Sequence, residues 1–278
     1  VLGERLQNME NAVVPGFYGC DTHGNVKTFS RGGSDITGAI VARAVQADMY
    51  ENWTDVPGIL AADPKIVKRP APIETLSYPE LQLLSAAGTQ VLHESAVAPV
   101  RERQIPLHIR STFAPDAPGT RIGFDAPASL SASGVIGFAG RRPVSMLRVI
   151  FPENVEETAL REVHACLNEH RVETFHSACG VEGLCLLLSS GAEADALHAA
   201  AEQLREHFSG AQVKLRENLA VLLALCRSTK DIPKLSAAIE ASGAPVHHLV
   251  QTPPGAMFCV NDSQYEQALR AAYGAAFA

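Results

Sequence analysis

The chain has six cysteines among its 278 residues, yet no two stand at C-x-x-C spacing. None of its ten histidines is followed four residues later by another. These absences argue against a zinc ribbon, a redox dithiol and a helical histidine site. Cys20, Cys166, Cys179, Cys185, Cys226 and Cys259 therefore read as free thiols of a cytosolic protein rather than as a disulfide frame. There is no basic run, and the formal net charge is -7 with a sequence pI near 5.8. Nucleic acid is not an expected partner. No apolar stretch approaches the roughly 18 residues of a membrane span, so no membrane partner is expected. The start, Val1-Leu2-Gly3-Glu4-Arg5, does not read as a signal peptide. No G-x-x-x-x-G-K-[ST] segment occurs, which excludes a Walker-type phosphate loop. What is present, at 46% hydrophobic and 19% charged residues, is a globular chain of two or three modules.

The most informative stretch runs from Thr28 to Gly38. Arg31 precedes Gly32 and Gly33, and Ser34-Asp35 follow as an expected N-cap pair. An apolar helical pattern to Val45 comes next, with Ile36, Ile40, Ala44 and Val45 on one face. A tight loop opening into a helix N-terminus suits phosphate or carboxylate. Gly32 and Gly33 would let a ligand approach the backbone, and Arg31 would add a planar cationic fork. Taken alone, the segment reads equally as an ordinary glycine-rich helix start.

Around it, Val13–Gly19 reads as a buried strand with a Pro-Gly bend, and Asp21–Asn25 as a turn. Met49–Val56 reads as a strand, which puts Thr54-Asp55 at its carboxyl end, the ligand-binding edge of α/β sheets. Asp63–Lys68 is a loop with two cations, Lys65 and Lys68. A helix is expected from Tyr78-Pro79 and another of about a dozen residues from Val91. A strand follows over Ile105–Arg110, and the order argues an α/β layer with parallel pairing. His93 and Glu94 are neighbours on a helix and point apart, so they are read as structural. Residues 113–133 read as a linker.

Val-Pro-Gly-Phe-Tyr-Gly at 14–19, Phe-Ser-Arg-Gly-Gly-Ser-Asp at 29–35 and Glu-Asn-Trp-Thr-Asp-Val-Pro-Gly at 51–58 resemble aspartate kinases. So do Ala-Asp-Pro-Lys-Ile-Val at 62–67 and Val-Leu-His at 91–93, in the family's order and spacing. The resemblance implies an amino-acid-kinase fold and ATP-dependent, Mg2+-assisted phosphorylation of the L-aspartate β-carboxylate. That is the first step towards lysine, threonine and methionine. It implies that Arg31 holds an aspartate carboxylate, and that Gly32, Gly33, Ser34 and Asp35 form the substrate and phosphate side of the loop. Arg31, Ser34 and Asp35 are the catalytic candidates. Thr54, Asp55, Gly58 and Lys65 are the ATP-binding candidates. Lys65 stands where many members have arginine, Leu60 where some have tyrosine and Gln90 where some have lysine. The family opens with a Lys-Phe-Gly-Gly strand, whereas the first lysine here is Lys27. Residues 1–125 are accordingly expected to be the carboxyl-terminal, ATP-binding half of the kinase domain.

Residues 126–278 change to short alternations of strand and helix. Strand 144–151, helix 154–170, strands 172–178 and 184–188, helix 192–207 and strand 211–215 make a βαββαβ, ferredoxin-like unit. A second unit, 219–275, is one strand short, and Gly134–Ala139 is inferred to complete it. The first module, about 144–216, is thus inserted in a second, about 133–140 plus 217–278. The fold class is α/β, a partial amino-acid-kinase domain followed by two ferredoxin-like modules. The pair resembles the ACT modules of aspartokinases, which implies an amino-acid effector such as lysine or threonine and a homodimer. The effector turn would be Gly180-Val181-Glu182, with Glu182 meeting an ammonium group, or else a plain hairpin turn. Arg141-Arg142 reads as a solvated pair, or else as part of a domain interface. The rival to a kinase is a non-catalytic protein that binds an amino acid and docks a partner.

Overall fold

The structure, a computed structural model, describes residues 1–29, 32–88, 94–124, 134–152, 158–181, 183–189, 194–252 and 254–277. By contacts the chain divides into two compact units. The first comprises Val1–Ala139, Leu225–Thr229 and Phe277; the second comprises Gly140–Ala224 and Lys230–Ala276.

The first unit begins with α1 (Leu2–Leu6), β1 (Tyr18–Cys20) and β2 (Val26–Thr28). The strands form an antiparallel hairpin over the expected turn, where Asp21 Oδ1 accepts from the His23 and Asn25 N–H groups, both at 2.9 Å. The expected buried strand over 13–19 is not found. Val13 is 99% exposed, and β1 starts only after Phe17, whose φ of 79° breaks the extended run. Next comes α2 (Gly33–Val45), packed on α1 and on α4 (Glu94–Glu102). Its N-cap is Gly32 in the left-handed conformation, not the Ser34-Asp35 pair. A residue without Cβ adopts that turn at no steric cost, so the helix starts two residues early. Its buried side is Gly33, Ile36, Ala39 and Ala42; Ile40 is exposed.

A four-stranded sheet follows, in the order β3-β7-β8-β6, with β3 at Tyr50–Thr54, β6 at Thr75–Ser77, β7 at Leu107–Ser111 and β8 at Thr120–Gly123. The pairing is mixed rather than parallel throughout: β3–β7 and β6–β8 are parallel, β7–β8 antiparallel. β8 lies inside the segment expected to be a linker. Thr120 and Ile122 are buried there, because the strand fills the gap between β7 and β6. A short ladder joins β4 (Ile59–Leu60) to β5 (Pro72–Ile73). Helix α3 (Tyr78–Ala86) starts on a full capping box, in which Ser77 accepts from the Glu80 N–H and Glu80 accepts from the Ser77 N–H. Pro79 sits in its first turn, where a missing N–H costs nothing.

A six-stranded sheet, most of whose residues belong to the second unit, has the order β10-β11-β9-β12-β14-β13. Its strands are β9 (Val135–Ile150), β10 (Thr174–Gly180), β11 (Gly183–Ser189), β12 (Gln212–Cys226), β13 (His248–Thr252) and β14 (Gly255–Asn261). The segments expected as separate strands at 134–139 and 144–151 are one 16-residue strand, β9, and those at 211–215 and 219–226 are one 15-residue strand, β12. The Arg142-Pro143 bond inside β9 is cis and Asn218 inside β12 has a φ of 56°, yet neither ends its strand. The Arg227 N–H donates to Gly134 O at 3.0 Å, beside the start of β9, while residues 144–150 of β9 pair with β11. Helices α5 (Ala159–Glu169) and α6 (Ala194–His207) cover one face. Val163, Leu167, Leu197 and Leu204 pack there on Leu147, Val149, Leu184, Leu186 and Leu188, the alternate residues of β9 and β11. Helices α7 (Ile232–Ala241) and α8 (Tyr265–Phe277) complete the element order. Arg141 and Arg142 are partly exposed to solvent, as expected, but both have partners. Arg142 makes a two-pronged bond to Asp262 at 2.8 and 2.9 Å, and Arg141 donates to Ser189 Oγ at 2.7 Å.

Candidate functional site

The loop before α2 is held by the hairpin. Phe29 N–H donates to Phe17 O, Phe17 N–H to Thr37 Oγ1, and Thr37 Oγ1 to Gly33 O at 2.8 Å. Beside the expected ligand approach, this closure gives the two glycines a role in the local packing. Gly32 supplies the left-handed φ of 62°. A Cβ on Gly33 would stand 2.9 Å from Phe29 Cβ and 3.0 Å from Phe17 Cα, so its bareness serves packing. Ser34 is exposed in the first turn of α2. Arg31, together with Ser30, lies outside the described residues, as do Gln90, His93 and Glu182.

Asp35 turns back to β3. Asn52, 8% exposed, donates from Nδ2 to Asp35 Oδ1 at 3.0 Å, and Tyr50 Oη donates to the Asp35 carbonyl at 3.2 Å. Burial, with Asp35 nearby, pushes the Tyr50 hydroxyl up, so it stays protonated and donating. Gly38 makes room for this ring: a Cβ there would be 2.6 Å from Tyr50 Oη. Tyr50, Asn52 and Thr54 are alternate residues and share one side of β3. The group that orients Asp35 is thus roughly 7 Å along the strand from Thr54, at about 3.3 Å per residue.

At the strand end Thr54 Oγ1 donates to Asp55 Oδ1 at 3.2 Å, and Asp55 is exposed. Because β3 and β7 are parallel and Thr54 registers with Ser111, the loop after β7 reaches the same edge. Thr112 fastens it there, donating from both N and Oγ1 to Thr54 O at 2.8 and 3.0 Å. On the other side of the strands Arg110 bonds Glu51 at 3.1 Å and Pro115 O at 2.7 Å and stacks 4.3 Å from the Trp53 ring. Burial raises the Glu51 carboxyl, but bonds from Arg110 and Trp53 outweigh it and leave it below its ordinary value.

Gly58 has φ 122°, and a Cβ on it would be 2.7 Å from Thr120 Oγ1, which accepts from Ile59 N–H and donates to Ile73 O. Lys65 is exposed on a turn closed by Asp63 Oδ1, which accepts its N–H at 2.8 Å. Among the described residues no hydrogen bond or ion pair joins Lys65 to the other candidates. The structure therefore brings Asp35 together with β3 and Thr54 with Asp55, but does not link Lys65 to them. Asn52, Tyr50, Thr112 and Arg110 are the residues that sequence reading missed. Strict alternation in Tyr50-Glu51-Asn52-Trp53-Thr54 is the signal that separates the two sides.

A helix whose first turn is bonded to a strand of a parallel pair, as Asp35 is to β3, is an arrangement found in α/β domains that handle anions. Residues 2–111 match the amino acid kinase family. Along its length the chain is similar to aspartokinases. It is 29% identical over 283 residues to Aspartokinase 3 of Bacillus subtilis, covering 99% of this chain and 62% of that protein. It is 40% identical over 122 residues to the aspartokinase of Rickettsia bellii, covering 44% of this chain and 30% of that protein. The crystal structure of Clostridium acetobutylicum aspartate kinase superposes with a TM-score of 0.88 at 32% identity, over 99% of this chain and 65% of that one. E. coli aspartokinase III in complex with aspartate and ADP shares the fold, with a TM-score of 0.72 at 23% identity. The chain thus spans less than two thirds of the Bacillus and Clostridium relatives, and the Rickettsia match covers under a third of that protein.

Proposed function

We propose that this chain forms the carboxyl-terminal part of an aspartate kinase, transferring the γ-phosphoryl group of ATP to the β-carboxylate of L-aspartate. The observation that carries the reading is the bond between Asp35, in the first turn of α2, and Asn52 of β3, two residues before Thr54 at the strand end, supported by the relatives' names. In this reading Arg31 holds a substrate carboxylate, and the α2 N–H groups beyond Gly32, Gly33 and Ser34 face an anion. Asp35, oriented by Asn52, holds a polar substrate or phosphate-side group. Thr54, Asp55 and Gly58 border the nucleotide, and Lys65 reaches phosphate oxygens as a point charge. Mg2+ would arrive on the phosphates; the exposed Asp55 carboxylate fits the one or two protein ligands that such a magnesium keeps. Catalysis by these groups is positioning and charge neutralisation around an in-line transfer between two anions.

The second unit is read as two nested ferredoxin-like ACT modules that bind an amino-acid effector at Gly180-Val181-Glu182 and pair with a second copy. Val181 stands 76% exposed at the tip of the β10–β11 hairpin, which fits a contact residue.

A coupled ADP-release and aspartyl-hydroxamate assay tests the catalytic reading. The chain alone is expected to form no aspartyl phosphate. Adding the amino-terminal portion of the Clostridium enzyme is expected to restore turnover. Arg31→Ala should then raise KM for aspartate while leaving nucleotide binding unchanged. No turnover in any combination that binds would overturn the proposal.

A further inference from the structure

Lys65 sits on a turn that fixes its own shape but not its own place. The Asp63 carbonyl accepts from the N–H groups of Ile66 and Val67 at 3.0 and 2.9 Å, and Asp63 Oδ1 accepts from Lys65 N–H at 2.8 Å. These bonds all lie inside the turn, so its position is left to Ala61 and Ala62, which are buried just before it. The root of the segment is tied to β8, where Thr120 Oγ1 accepts from Ile59 N–H at 2.8 Å and donates to Ile73 O at 2.6 Å. Its far end is tied elsewhere. Beyond the β4–β5 rungs Ile59–Ile73 and Leu60–Pro72, Ala61 N–H donates to Ala71 O at 2.8 Å. The Ala61 carbonyl accepts the N–H of Phe138, a residue of β9, at 2.7 Å.

Gly137 closes this contact. A Cβ on it would stand 3.1 Å from Ala61 Cα, 3.2 Å from Ala61 O and 3.0 Å from Ile73 Cδ1. Ala61, Ile73 and Phe138 are all buried, and the Phe138 ring meets the Phe277 ring edge-on, with centroids 6.4 Å apart. All of these residues belong to the first unit. Buried groups packed without spare room pass a displacement on rather than absorb it. A methyl group on Gly137 would therefore push Ala61 by a few tenths of an ångström. The Asp63 turn would move with it as a body, because its own bonds are untouched.

We propose that Gly137 and Phe138 are positioning residues for the nucleotide: the start of β9 sets where Lys65 meets the phosphate oxygens. The inference rests on the kinase reading of Lys65 and adds the groups that hold it in place. Lysine is a point charge on a flexible stem, with no planar fork to fix its geometry, so its aim depends on the backbone beneath it. Neither Gly137 nor Phe138 has to touch the substrate for this.

The test is a double-mutant cycle on the full chain complemented by the amino-terminal portion of the Clostridium enzyme. A misplacement of 1 Å can cost about a hundredfold, so Gly137→Ala should raise KM for ATP about three- to tenfold. KM for aspartate and kcat at saturating ATP should stay within about twofold, because neither depends on the aim of Lys65 in this reading. Lys65→Ala should also raise KM for ATP, and adding Gly137→Ala to it should cost little more, since the displaced group is gone. A packing defect with no positioning role would give the same loss in both backgrounds. Full additivity would overturn the inference, as would an unchanged KM for ATP in folded Gly137→Ala, or a Lys65→Ala variant without effect. A wild-type complex without turnover would overturn the kinase reading, and this inference with it. Should Gly137→Ala not fold, hydrogen exchange in the wild-type complex decides. Saturating ADP should slow exchange of the Phe138 amide at least about fivefold, because coupling between two sites is reciprocal. Unchanged exchange there would overturn the inference.

Discussion

Removing the charge of Glu80 should destabilise the first unit more than any other single carboxylate change there. Its side chain is 6% exposed and receives two bonds from Arg227, at 2.7 and 3.0 Å. It also accepts the Ser77 N–H at 2.7 Å as the far half of the α3 capping box. Glu80→Gln keeps the volume and much of the cap but leaves the Arg227 guanidinium without its counter-charge. Breaking one side of a buried pair costs about 3–5 kcal/mol, and partial exposure of Arg227 puts the expected loss at the lower end, about 3 kcal/mol. Glu80→Ala loses the cap as well, for about 1 kcal/mol more.

The loss should depend on pH. Burial raises the Glu80 carboxyl, but Arg227 and Ser77 outweigh it, so its folded value lies below the ordinary 4.5. A depressed carboxyl contributes its full stability above the unfolded value and loses it as pH falls through the folded one. The gap between wild type and Glu80→Gln should therefore be constant near neutrality and shrink once pH drops below about 4.5. Urea unfolding followed by fluorescence reads this cleanly, because Trp53 is the single tryptophan and belongs to the first unit. A gap under about 1 kcal/mol at neutral pH, the ordinary value of an exposed pair, would refute the reasoning. So would a gap that does not change with acid.

Two further changes probe the candidate site by the same fluorescence. Asn52→Leu removes the donor to Asp35 and should cost about 1.5–3 kcal/mol, the worth of a hydrogen bond to a charged group; unaltered urea midpoints would mean that Asp35 does not depend on it. Gly58→Ala puts a Cβ 2.7 Å from Thr120 Oγ1 on a backbone at φ 122°, and should cost about 2–4 kcal/mol. Combined with Thr120→Ala, the losses should be less than additive, because the second change removes the atom the new Cβ meets; strict additivity would argue against that contact.

Local chemistry made much of this chain legible without coordinates. Ser77-Tyr78-Pro79-Glu80 announces a helix start because each residue satisfies an end requirement by itself. The Asp21–Asn25 turn, and the apolar alternation of β9 and β11 against the stripe of α5, are set by neighbours in sequence. What depends on partners far along the chain was decided only by the tertiary structure. That Gly33 must also lack a Cβ for packing shows only when Phe17 and Phe29 are seen filling the space beside it. Thr120 sits in a stretch with linker composition, yet it is buried because β8 closes a sheet whose other strands lie on both sides of it. Asn52 gains meaning only when Asp35, 17 residues away, folds onto it.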